Sequence, residues 1–336
     1  MGEFELIERF FKRSTPRAVL GVGDDCALLQ PQPGMQMAIS SDMLVSGRHF
    51  FADVDPRTLG HKALAVNLSD LAACGARPVA FTLALALPEA RAKWLESFSQ
   101  GLLTLADTHG CELIGGDTTQ GPLNICITVF GEIPTGQALL RSGAKPGDDI
   151  YVSGTVGDAR LALDALLGRV ELPGDVLARA RQRLEQPMPR VALGMALRSI
   201  ATAATDVSDG LLGDLGHILV QSRVGATIDT TSATSLIASH AYFTGASGKN
   251  HLKLTAQYLL QCVLGGGDDY ELVFTAPPAA KGAVQAAAQT SHTAVTRIGT
   301  ITANDTAGVG STNVRLIDAQ GRSVPNTFTS FDHFAP

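Results

Sequence analysis

The chain has 336 residues, of which 45% are apolar and 17% charged, and its formal net charge is −6. At about 150 residues per domain this length favours two domains, and the apolar share excludes a disordered or fibrous chain. The negative charge gives no overall attraction for nucleic acid or for an anionic membrane surface. An anionic ligand would therefore have to be held locally, by metal ions, backbone amides or a few well-placed cations.

The five cysteines are widely spaced and form no Cys-x-x-Cys pair. This argues against a disulfide framework and against a zinc site. The N-terminus is acidic where a signal peptide would be basic, and the most apolar stretch, Val79–Leu87, is too short to span a bilayer. The sequence therefore predicts a cytoplasmic protein without a membrane partner.

The first half of the chain alternates strand and helix signals, beginning with a short apolar strand at Met37–Ser40 that ends in a polar turn. Asp55 and Pro56 predict a helix start, because aspartate caps helices and proline fits the first helical position. Apolar residues at helical spacing continue this helix until Gly75. The sequence then predicts a strand, a helix and a strand, at Phe81–Leu87, Pro88–Gly110 and Leu123–Ile133.

A stretch rich in glycine, proline and charge, residues 134–149, predicts a domain boundary. We therefore expect an N-terminal domain over 1–138 and a C-terminal α/β domain over 149–336. Strands and helices intermix in both halves, so the predicted fold class is α/β or α+β. In the second half we expect several Ala-rich helices. We also expect an apolar helix that ends near Leu264 and two strands, at Ile150–Gly154 and Tyr270–Thr275.

The informative feature of the sequence is where its aspartates lie. Six times an apolar segment runs into a turn of small residues that carries acid, at Gly23–Asp25, Ser40–Asp42, Asn67–Asp70, Gly115–Asp117, Asp206–Gly210 and Gly266–Asp269. Acids at the ends of buried elements cost desolvation energy unless a cation compensates them, and lysine and arginine are scarce around these turns. A bound divalent metal would compensate them, because hard cations prefer carboxylate, hydroxyl and carbonyl oxygens. Ordinary turn and capping chemistry is the better explanation of any one turn taken singly, whereas the six turns together favour metal binding.

Several familiar signatures are absent from the sequence. There is no GxxxxGK[ST] loop, no GxGxxG after a strand, no HExxH, no GxSxG and no kinase HRD or DFG set. From residue types alone, the sequence predicts a magnesium-dependent enzyme that acts on phosphate, without specifying the reaction.

Seven segments, taken together, resemble the thiamine-monophosphate kinase family. They occur in the family's order, at Gly21–Leu28, Ile39–Val45, Lys62–Ala73, Leu113–Thr119, Arg141–Asp148, Asp206–Leu211 and Phe331–Ala335. Single pieces such as GGDT or DxSDG recur across a wider superfamily that includes aminoimidazole ribonucleotide synthetase and selenophosphate synthetase.

The resemblance implies a two-domain, aminoimidazole ribonucleotide synthetase-like fold. In this family the N-terminal domain pairs with its copy in a homodimer and joins two sheets into a barrel. ATP and several Mg²⁺ bind between the domains, and the γ-phosphate passes directly, in line, to thiamine monophosphate to give ADP and thiamine diphosphate. The alternatives are another ATP-using superfamily member, such as aminoimidazole ribonucleotide synthetase, and a non-catalytic nucleotide- or metal-binding protein.

The resemblance also implies roles for individual residues. Metal ligands are implied at Asp25, Ser40, Ser41, Asp42, Asp70, Asp117, Asp206 and Asp209. ATP contacts are implied at Gly116, Asp117, Arg141 and Ser208, and catalytic roles at Asp42, Asp117 and Arg141. Contacts with the thiamine substrate are implied at His49, Asp268 and Phe331, and a helper role at Asp24.

The chain departs from the family pattern at three positions. Asp268 replaces a glutamate that contacts substrate, which keeps the carboxylate but shortens its reach. Phe331 stands where tyrosine is common, which keeps an aromatic ring and loses a hydroxyl. Gln120 stands where arginine is expected.

Overall fold

The structure is a computed structural model that describes residues 2–239, 254–304 and 313–331. The chain divides into two compact units, Met1–Ala138 and Leu139–Pro336, each with its own β-sheet. Helices and strands intermix in both units, which confirms the mixed α/β fold class. The last four residues of the segment Phe331–Ala335 lie outside the described residues. No helix among those described is long and apolar enough to cross a membrane.

Unit 1 contains three helices and a sheet whose strand order is β1-β4-β2-β3 in the part of the chain that the structure describes. Its elements, in chain order, are α1 Glu3–Phe10, β1 Met35–Val45, α2 Pro56–Ala73, β2 Arg77–Leu87, α3 Ala92–His109, β3 Glu112–Gln120 and β4 Asn124–Pro134. β4 pairs antiparallel with β1 and with β2, whereas β2 and β3 are parallel. The parallel pair needs a crossover connection, which α3 provides.

Local chemistry determines the helix ends of unit 1. Asp55 caps α2, its side chain accepting a backbone hydrogen bond from two residues further on, and Pro56 is the first helical residue, as predicted. Gly110 ends α3 in a left-handed conformation with φ of 58°, also as predicted. The predicted start of α3 at Pro88 is wrong: the helix begins at Ala92, because residues 88–91 make the turn out of β2.

Helix α2 is buried on nearly every side, although the sequence predicts only one apolar stripe. It packs against β1, β2 and β4 and also against α3. The polar Asn67 is 1% exposed, comparable to its apolar neighbour Leu68. Gly60 permits the approach to α3, since a Cβ there would lie 2.1 Å from the carbonyl oxygen of Phe98. Asn67 therefore lies inside unit 1, whereas the predicted ligand Asp70 is only partly buried.

Three of the six acidic segments do not lie in turns, so the prediction is wrong there. Asn67–Asp70 is inside α2, and the other two are in strands. Ser40–Asp42 is in the middle of β1, and Gly115–Asp117 is in the middle of β3. Ladder pairing with β4 and with β2 continues through these segments. Hydrogen bonds to distant strands thus outweigh the local turn preference of serine and glycine.

Unit 2 has a larger sheet, with the order β11-β10-β7-β9-β5-β8-β6 among the described residues. Its strands are β5 Asp149–Ser153, β6 Ala203–Val207, β7 Val224–Asp229, β8 Glu271–Ala276, β9 Val295–Ala303, β10 Val314–Ile317 and β11 Ser323–Val324. The helices of unit 2 within the described residues are α4 Asp158–Leu166, α5 Gly174–Glu185, α6 Val191–Ala196, α7 Leu211–Ser222, α8 Thr230–Thr234, α9 Ala256–Gly265 and α10 Lys281–Thr290, with a 3₁₀ turn at Pro278–Ala280. β5, β6 and β8 are buried at every position, which places both faces of the central sheet in the core.

Candidate active site

Three of the predicted metal ligands lie where α2 packs on β1. The hydroxyl of Ser40 donates a hydrogen bond to the carboxylate of Asp70, and the side-chain oxygen of Asn67 accepts one from the backbone amide of Asp42 at 3.0 Å. The Asn67 side chain is itself oriented by donating to the carbonyl of Ala63 at 3.0 Å. Because residues two apart in a strand share a face, Ser40 and Asp42 both belong to the α2 side of β1.

Ser41 belongs to the opposite face of β1. Its hydroxyl lies 2.9 Å from the hydroxyl of Thr128 and donates to the carbonyl of Ile127 at 3.1 Å. The two adjacent serines are therefore directed to different sides of the sheet, as strand geometry requires. Within unit 1 the structure groups Ser40 with Asp70 but does not group Ser41 with them.

Two more predicted ligands line a cavity of about 590 Å³ in unit 1. Asp24 and Asp25 reach it from the loop after α1, and Gly116 and Asp117 reach it from β3. The amide of Asp25 donates to the carboxylate of Asp24 at 2.9 Å, which holds the loop. Gly116 has φ of 144°, and a Cβ there would lie 1.9 Å from the carbonyl oxygen of Leu83, so glycine is required. The cavity thus joins an expected ATP contact to two expected metal ligands.

The acids of unit 1 form separate groups. Asp42 and Asp117 lie in β1 and β3, the edge strands of this sheet, roughly 14 Å apart if three strand spacings are counted. Within neither unit do three His, Cys, Asp or Glu side chains of the described residues come close enough to hold a metal ion. Unit 1 therefore offers pairs of oxygen ligands rather than one closed cage.

His49 is held against the end of β1. Its Nδ1 accepts a hydrogen bond from the amide of Val45 at 3.0 Å, and its own amide donates to the Val45 carbonyl at 3.0 Å. An Nδ1 that accepts must be unprotonated, so the neutral ring carries its proton on Nε2. The local turn thereby fixes both the position and the tautomer of this expected substrate contact.

In unit 2 the expected ligands follow β6. Asp206 lies within the strand and is 5% exposed, whereas Ser208 and Asp209 form the turn into α7. Gly210 ends the turn with φ of 123°, a conformation that disfavours any other residue. The structure adds Asp214, whose Oδ2 accepts hydrogen bonds from the amides of residues 208, 209 and 210 at 3.0, 3.1 and 3.1 Å. Burial and then the charge of Asp209 raise the pKa of Asp214 to about 7, against these hydrogen bonds.

A second loop docks on the same turn. The amide of Asp268 donates to the carbonyl of Ser208 at 2.8 Å, and the amide of Phe331 donates to the carbonyl of Asp209 at 2.9 Å. The hydroxyl of Tyr270 lies 3.3 Å from the carboxylate of Asp268, and both of these residues have left-handed backbones with φ of 52° and 66°. Unit 2 therefore brings the expected substrate contacts beside the expected ATP and metal contacts.

Two buried acids, Asp269 and Glu271, hold the loop that carries Asp268. Both carboxylate oxygens of Asp269 accept from the amide of Gly157 at 3.0 Å. The carboxylate of Glu271 accepts from Arg183 and Arg190 at 2.6 Å and from the Ser153 hydroxyl at 2.6 Å. Burial raises the pKa of Asp269 well above its ordinary value, with the charge of Arg183 opposing the shift. Sequence analysis missed these anchors, because their partners are distant in the chain.

Arg141 runs beside β6. The backbone of its neighbour Leu140 accepts from the amide of Ala204 at 2.9 Å, and the Arg141 Nε donates to the hydroxyl of Thr205 at 3.3 Å. Burial and then the charge of Arg141 lower the pKa of His217, which Asp209 opposes. The exposed guanidinium therefore lies near the turn after β6, where a phosphate contact is expected.

Comparison with known proteins gives the family. Models of the AIR synthase related proteins match the N-terminal domain over residues 23–133 and the C-terminal domain over residues 145–310. The thiamine-monophosphate kinase of Salmonella typhimurium is 44% identical over 338 residues, which cover 99% of this chain and 98% of that protein. The chain belongs to the thiamine-monophosphate kinase family.

Solved structures of this family have the same fold. The thiamine-monophosphate kinase of Stenotrophomonas maltophilia K279a superposes with a TM-score of 0.79 at 43% identity, over 96% of each chain. AaThiL complexed with AMPPCP and TMP superposes with a TM-score of 0.73 at 26% identity, over 98% of this chain and 96% of that one. These matches confirm the two-domain, AIR synthase-related fold that the resemblance implied.

Proposed function

We propose that the protein phosphorylates thiamine monophosphate to thiamine diphosphate with ATP as the phosphate donor. The observation that carries this conclusion is the 44% identity to thiamine-monophosphate kinases over nearly the whole chain. The fold shared with AaThiL complexed with TMP and AMPPCP, an ATP analogue, supports both substrates. The near-full-length kinase relatives favour this reaction over that of aminoimidazole ribonucleotide synthetase and over a non-catalytic binding protein.

Joining two phosphate-bearing molecules is mainly an electrostatic problem. ATP and thiamine monophosphate together carry about five to six negative charges near neutral pH. In a site of modest dielectric constant their repulsion amounts to several kcal/mol at contact distance. The acids of this chain would add to that repulsion, so a bound cation is needed between them and the phosphates.

The residues fit Mg²⁺. The expected metal ligands are carboxylate and hydroxyl oxygens, which Mg²⁺ prefers. In unit 1 the Ser40 hydroxyl and the Asp70 carboxylate already lie within hydrogen-bond distance of each other. Mg²⁺ keeps several waters and takes one or two carboxylates beside substrate phosphates, so pairs of acids are sufficient. We propose that the ions are held by Asp25, Ser40, Ser41, Asp42, Asp70, Asp117, Asp206 and Asp209. When bound, Mg²⁺ neutralises charge on the phosphates and on the transferring group.

The other residues bind and align the substrates. We assign ATP contacts to Gly116, Asp117, Arg141 and Ser208, and catalytic roles to Asp42, Asp117 and Arg141. Gly116 lines the 590 Å³ cavity, and its lack of a side chain permits its close approach to the backbone of Leu83. Arg141 presents a planar fork that suits a phosphate. The acceptor is already an ionised phosphate oxygen, so these residues align it for direct transfer and need not remove a proton.

Three residues are assigned to the thiamine substrate. The Asp268 carboxylate suits the fixed positive charge of the thiazolium ring, with Tyr270 orienting it. Phe331 offers an aromatic face that is 46% exposed, and cations are attracted to such faces. His49 supplies an oriented ring at the end of β1.

We further propose that the protein is a homodimer joined through the sheet of unit 1. The face of β1 away from α2 exposes Ile39 by 62% and Met43 by 53%. Across the sheet, Met43 of β1 pairs with Cys126 of β4, which pairs in turn with Ala84 of β2. Exposed apolar side chains of this size on a sheet face favour an interface, and pairing with a second copy would close two sheets into a barrel. The net charge of −6 supports small-molecule substrates rather than nucleic acid or a membrane, and we place the enzyme in the cytoplasm.

Incubation with thiamine monophosphate, ATP and Mg²⁺ tests the proposal. We expect thiamine diphosphate and ADP in equal amounts. ATP hydrolysis that depends on a different acceptor would instead indicate another superfamily reaction, and ATP binding without product would indicate a binding protein. Brief exposure to γ-labelled ATP without acceptor should leave no label on the denatured protein, because transfer is direct.

A further inference from the structure

One buried carboxylate, that of Asp214, holds the turn that carries Ser208 and Asp209. Its Oδ2 accepts from three consecutive backbone amides, those of residues 208, 209 and 210, at 3.0, 3.1 and 3.1 Å. The residue is 3% exposed and lies in the first turn of α7. A single buried oxygen that accepts from three amides in a row restricts the turn to one conformation, because moving any of these amides would leave a buried polar group without its partner.

This arrangement does more than cap a helix. A cap satisfies amides in the first turn of a helix, and Gly210 is the residue at the N-cap position of α7. Two of the three amides that Asp214 binds belong to Ser208 and Asp209, which precede that position. A neutral acceptor would cap the helix without placing a buried carboxylate beside the carboxylate of Asp209. The contacts of Asp214 are therefore directed at the turn itself.

The same turn supports the expected substrate contacts. The Ser208 carbonyl accepts from the amide of Asp268 at 2.8 Å, and the Asp209 carbonyl accepts from the amide of Phe331 at 2.9 Å. Gly267 packs closely on the turn, since a Cβ there would lie 2.4 Å from the Ser208 carbonyl oxygen. A change in the conformation of this turn would thus displace the side chains of Ser208 and Asp209 and also the backbone of Asp268 and Phe331, which is hydrogen-bonded to the turn.

We propose that Asp214 is a positioning residue of the kinase reaction. It fixes the 208–210 turn so that Ser208 and Asp209 meet Mg²⁺ and ATP in one geometry, and it supports Asp268 and Phe331 through their backbone hydrogen bonds. The proposal rests on the proposed function. Misplacement of such groups by about 1 Å is enough to lower a rate by about a hundredfold.

The test compares three variants, Asp214→Ala, Asp214→Asn and the control Asp148→Ala. Asp148 is also buried, 4% exposed, and its Oδ2 accepts from the amide of Lys145 at 2.9 Å and the hydroxyl of Thr202 at 2.7 Å. Both alanine variants therefore remove a buried carboxylate that holds a turn of unit 2. For each we would measure the melting temperature, the kinetic constants for thiamine monophosphate, and AMPPCP binding by calorimetry at several Mg²⁺ concentrations.

We expect Asp214→Ala to raise the Mg²⁺ concentration for half-maximal AMPPCP binding about tenfold and to lower kcat/KM for thiamine monophosphate at least as much. Asp214→Asn should change both quantities by about threefold, which is between the wild type and Asp214→Ala. Its side-chain oxygen still accepts hydrogen bonds but carries no charge. Asp148→Ala should lower the melting temperature and change neither quantity beyond about twofold, as expected of a residue that only stabilises.

Two results would overturn the proposal. One is a folded Asp214→Ala protein whose Mg²⁺ dependence and kcat/KM are those of the wild type. The other is an equal Mg²⁺ shift in Asp148→Ala, which would mean that any loss of a buried carboxylate has this effect. If Asp214→Ala does not fold, Asp214→Asn decides, and unchanged Mg²⁺ dependence there rejects the role. Wild-type protein that makes no thiamine diphosphate would refute the proposed function, while the AMPPCP measurement would still test Asp214.

Discussion

At the scale of single residues, Asp268 combines an unusual backbone with an expected ligand contact. Its φ of 66° is left-handed, a conformation that aspartate and asparagine adopt more readily than most residues. Asp268→Asn therefore keeps the backbone preference and removes only the charge. We expect this variant to raise KM for thiamine monophosphate, whose ring carries a fixed positive charge, and to leave KM for ATP nearly unchanged.

The matched variant Asp268→Glu restores the residue usual in the family and keeps the charge. We expect it to be tolerated, with a small stability cost because glutamate is less suited to the left-handed region. Steady-state measurement of both KM values in both variants checks the assignment. Equal effects on the two substrates, or no effect on either, would remove Asp268 from the substrate site.

The expected metal ligands of unit 1 give a second prediction for single residues. Asp42→Ala and Asp117→Ala should each nearly abolish phosphate transfer at saturating Mg²⁺, because each removes a charged oxygen ligand, while circular dichroism remains that of the wild type. Asp107→Ala, which removes an exposed acid of α3 paired with Arg13, is the control and should retain full activity. Activity above about a tenth of wild type, a loss below roughly 1.4 kcal/mol, would exclude the substituted aspartate as an essential ligand.

At the scale of elements, a buried carboxylate joins α4 to α9. Asp164 accepts from Arg160 at 3.0 Å, from Arg169 at 2.9 Å and from the Tyr258 hydroxyl at 2.9 Å. Burial alone would raise the pKa of Asp164, but these three hydrogen bonds outweigh it and leave the pKa below its ordinary value. A carboxyl of this kind stabilises the fold above the pKa of the unfolded chain and loses that effect as the pH falls through its own lowered pKa.

We therefore expect Asp164→Asn to reduce the free energy of unfolding at pH 7 by about 2 kcal/mol, as for hydrogen bonds to a charged group. The difference from wild type should shrink as the pH falls below about 4. Urea unfolding at pH 7 and at lower pH measures both values. Asp175→Asn, which breaks an exposed pair with Arg179, is the control and should cost about 0.5 kcal/mol or less. A difference for Asp164→Asn that persists unchanged in acid would contradict the role of its charge.

The elements also show what the sequence can and cannot predict. The capped start of α2 at Asp55 and the glycine end of α3 at Gly110 depend on neighbours in the chain, and both were predicted. The strand conformation of Gly115–Asp117 depends on pairing with β2, and the burial of Glu271 depends on arginines more than 80 residues away. Contacts between residues so far apart in the chain leave no local sequence pattern from which they could be predicted.

At the scale of the whole molecule, each unit supplies its own part of the expected chemistry. Unit 1 provides the cavity with Asp25, Gly116 and Asp117, and unit 2 provides the turn with Ser208 and Asp209. The order of the acidic segments along the chain was visible in the sequence. Their division into pairs was not, because it follows from strand faces and from the sheet order β1-β4-β2-β3.

The last prediction concerns the exposed apolar residues on the face of β1 away from α2. Ile39 is 62% exposed in the middle of β1, on the face away from α2. If a second copy covers this face, Ile39→Asp would bury a charge in an apolar interface, which is strongly unfavourable. We expect wild-type protein to be a dimer by light scattering and Ile39→Asp to be a folded monomer.

Val220 offers the matched control for this variant. It is 56% exposed on α7 of unit 2, so Val220→Asp introduces the same charge at an apolar surface position outside the proposed interface. This control should remain dimeric at every concentration at which the wild type is dimeric. A monomeric wild type, or dimers of equal stability in the wild type and Ile39→Asp, would reject the sheet face as the interface, because a buried charge there cannot leave the association unchanged.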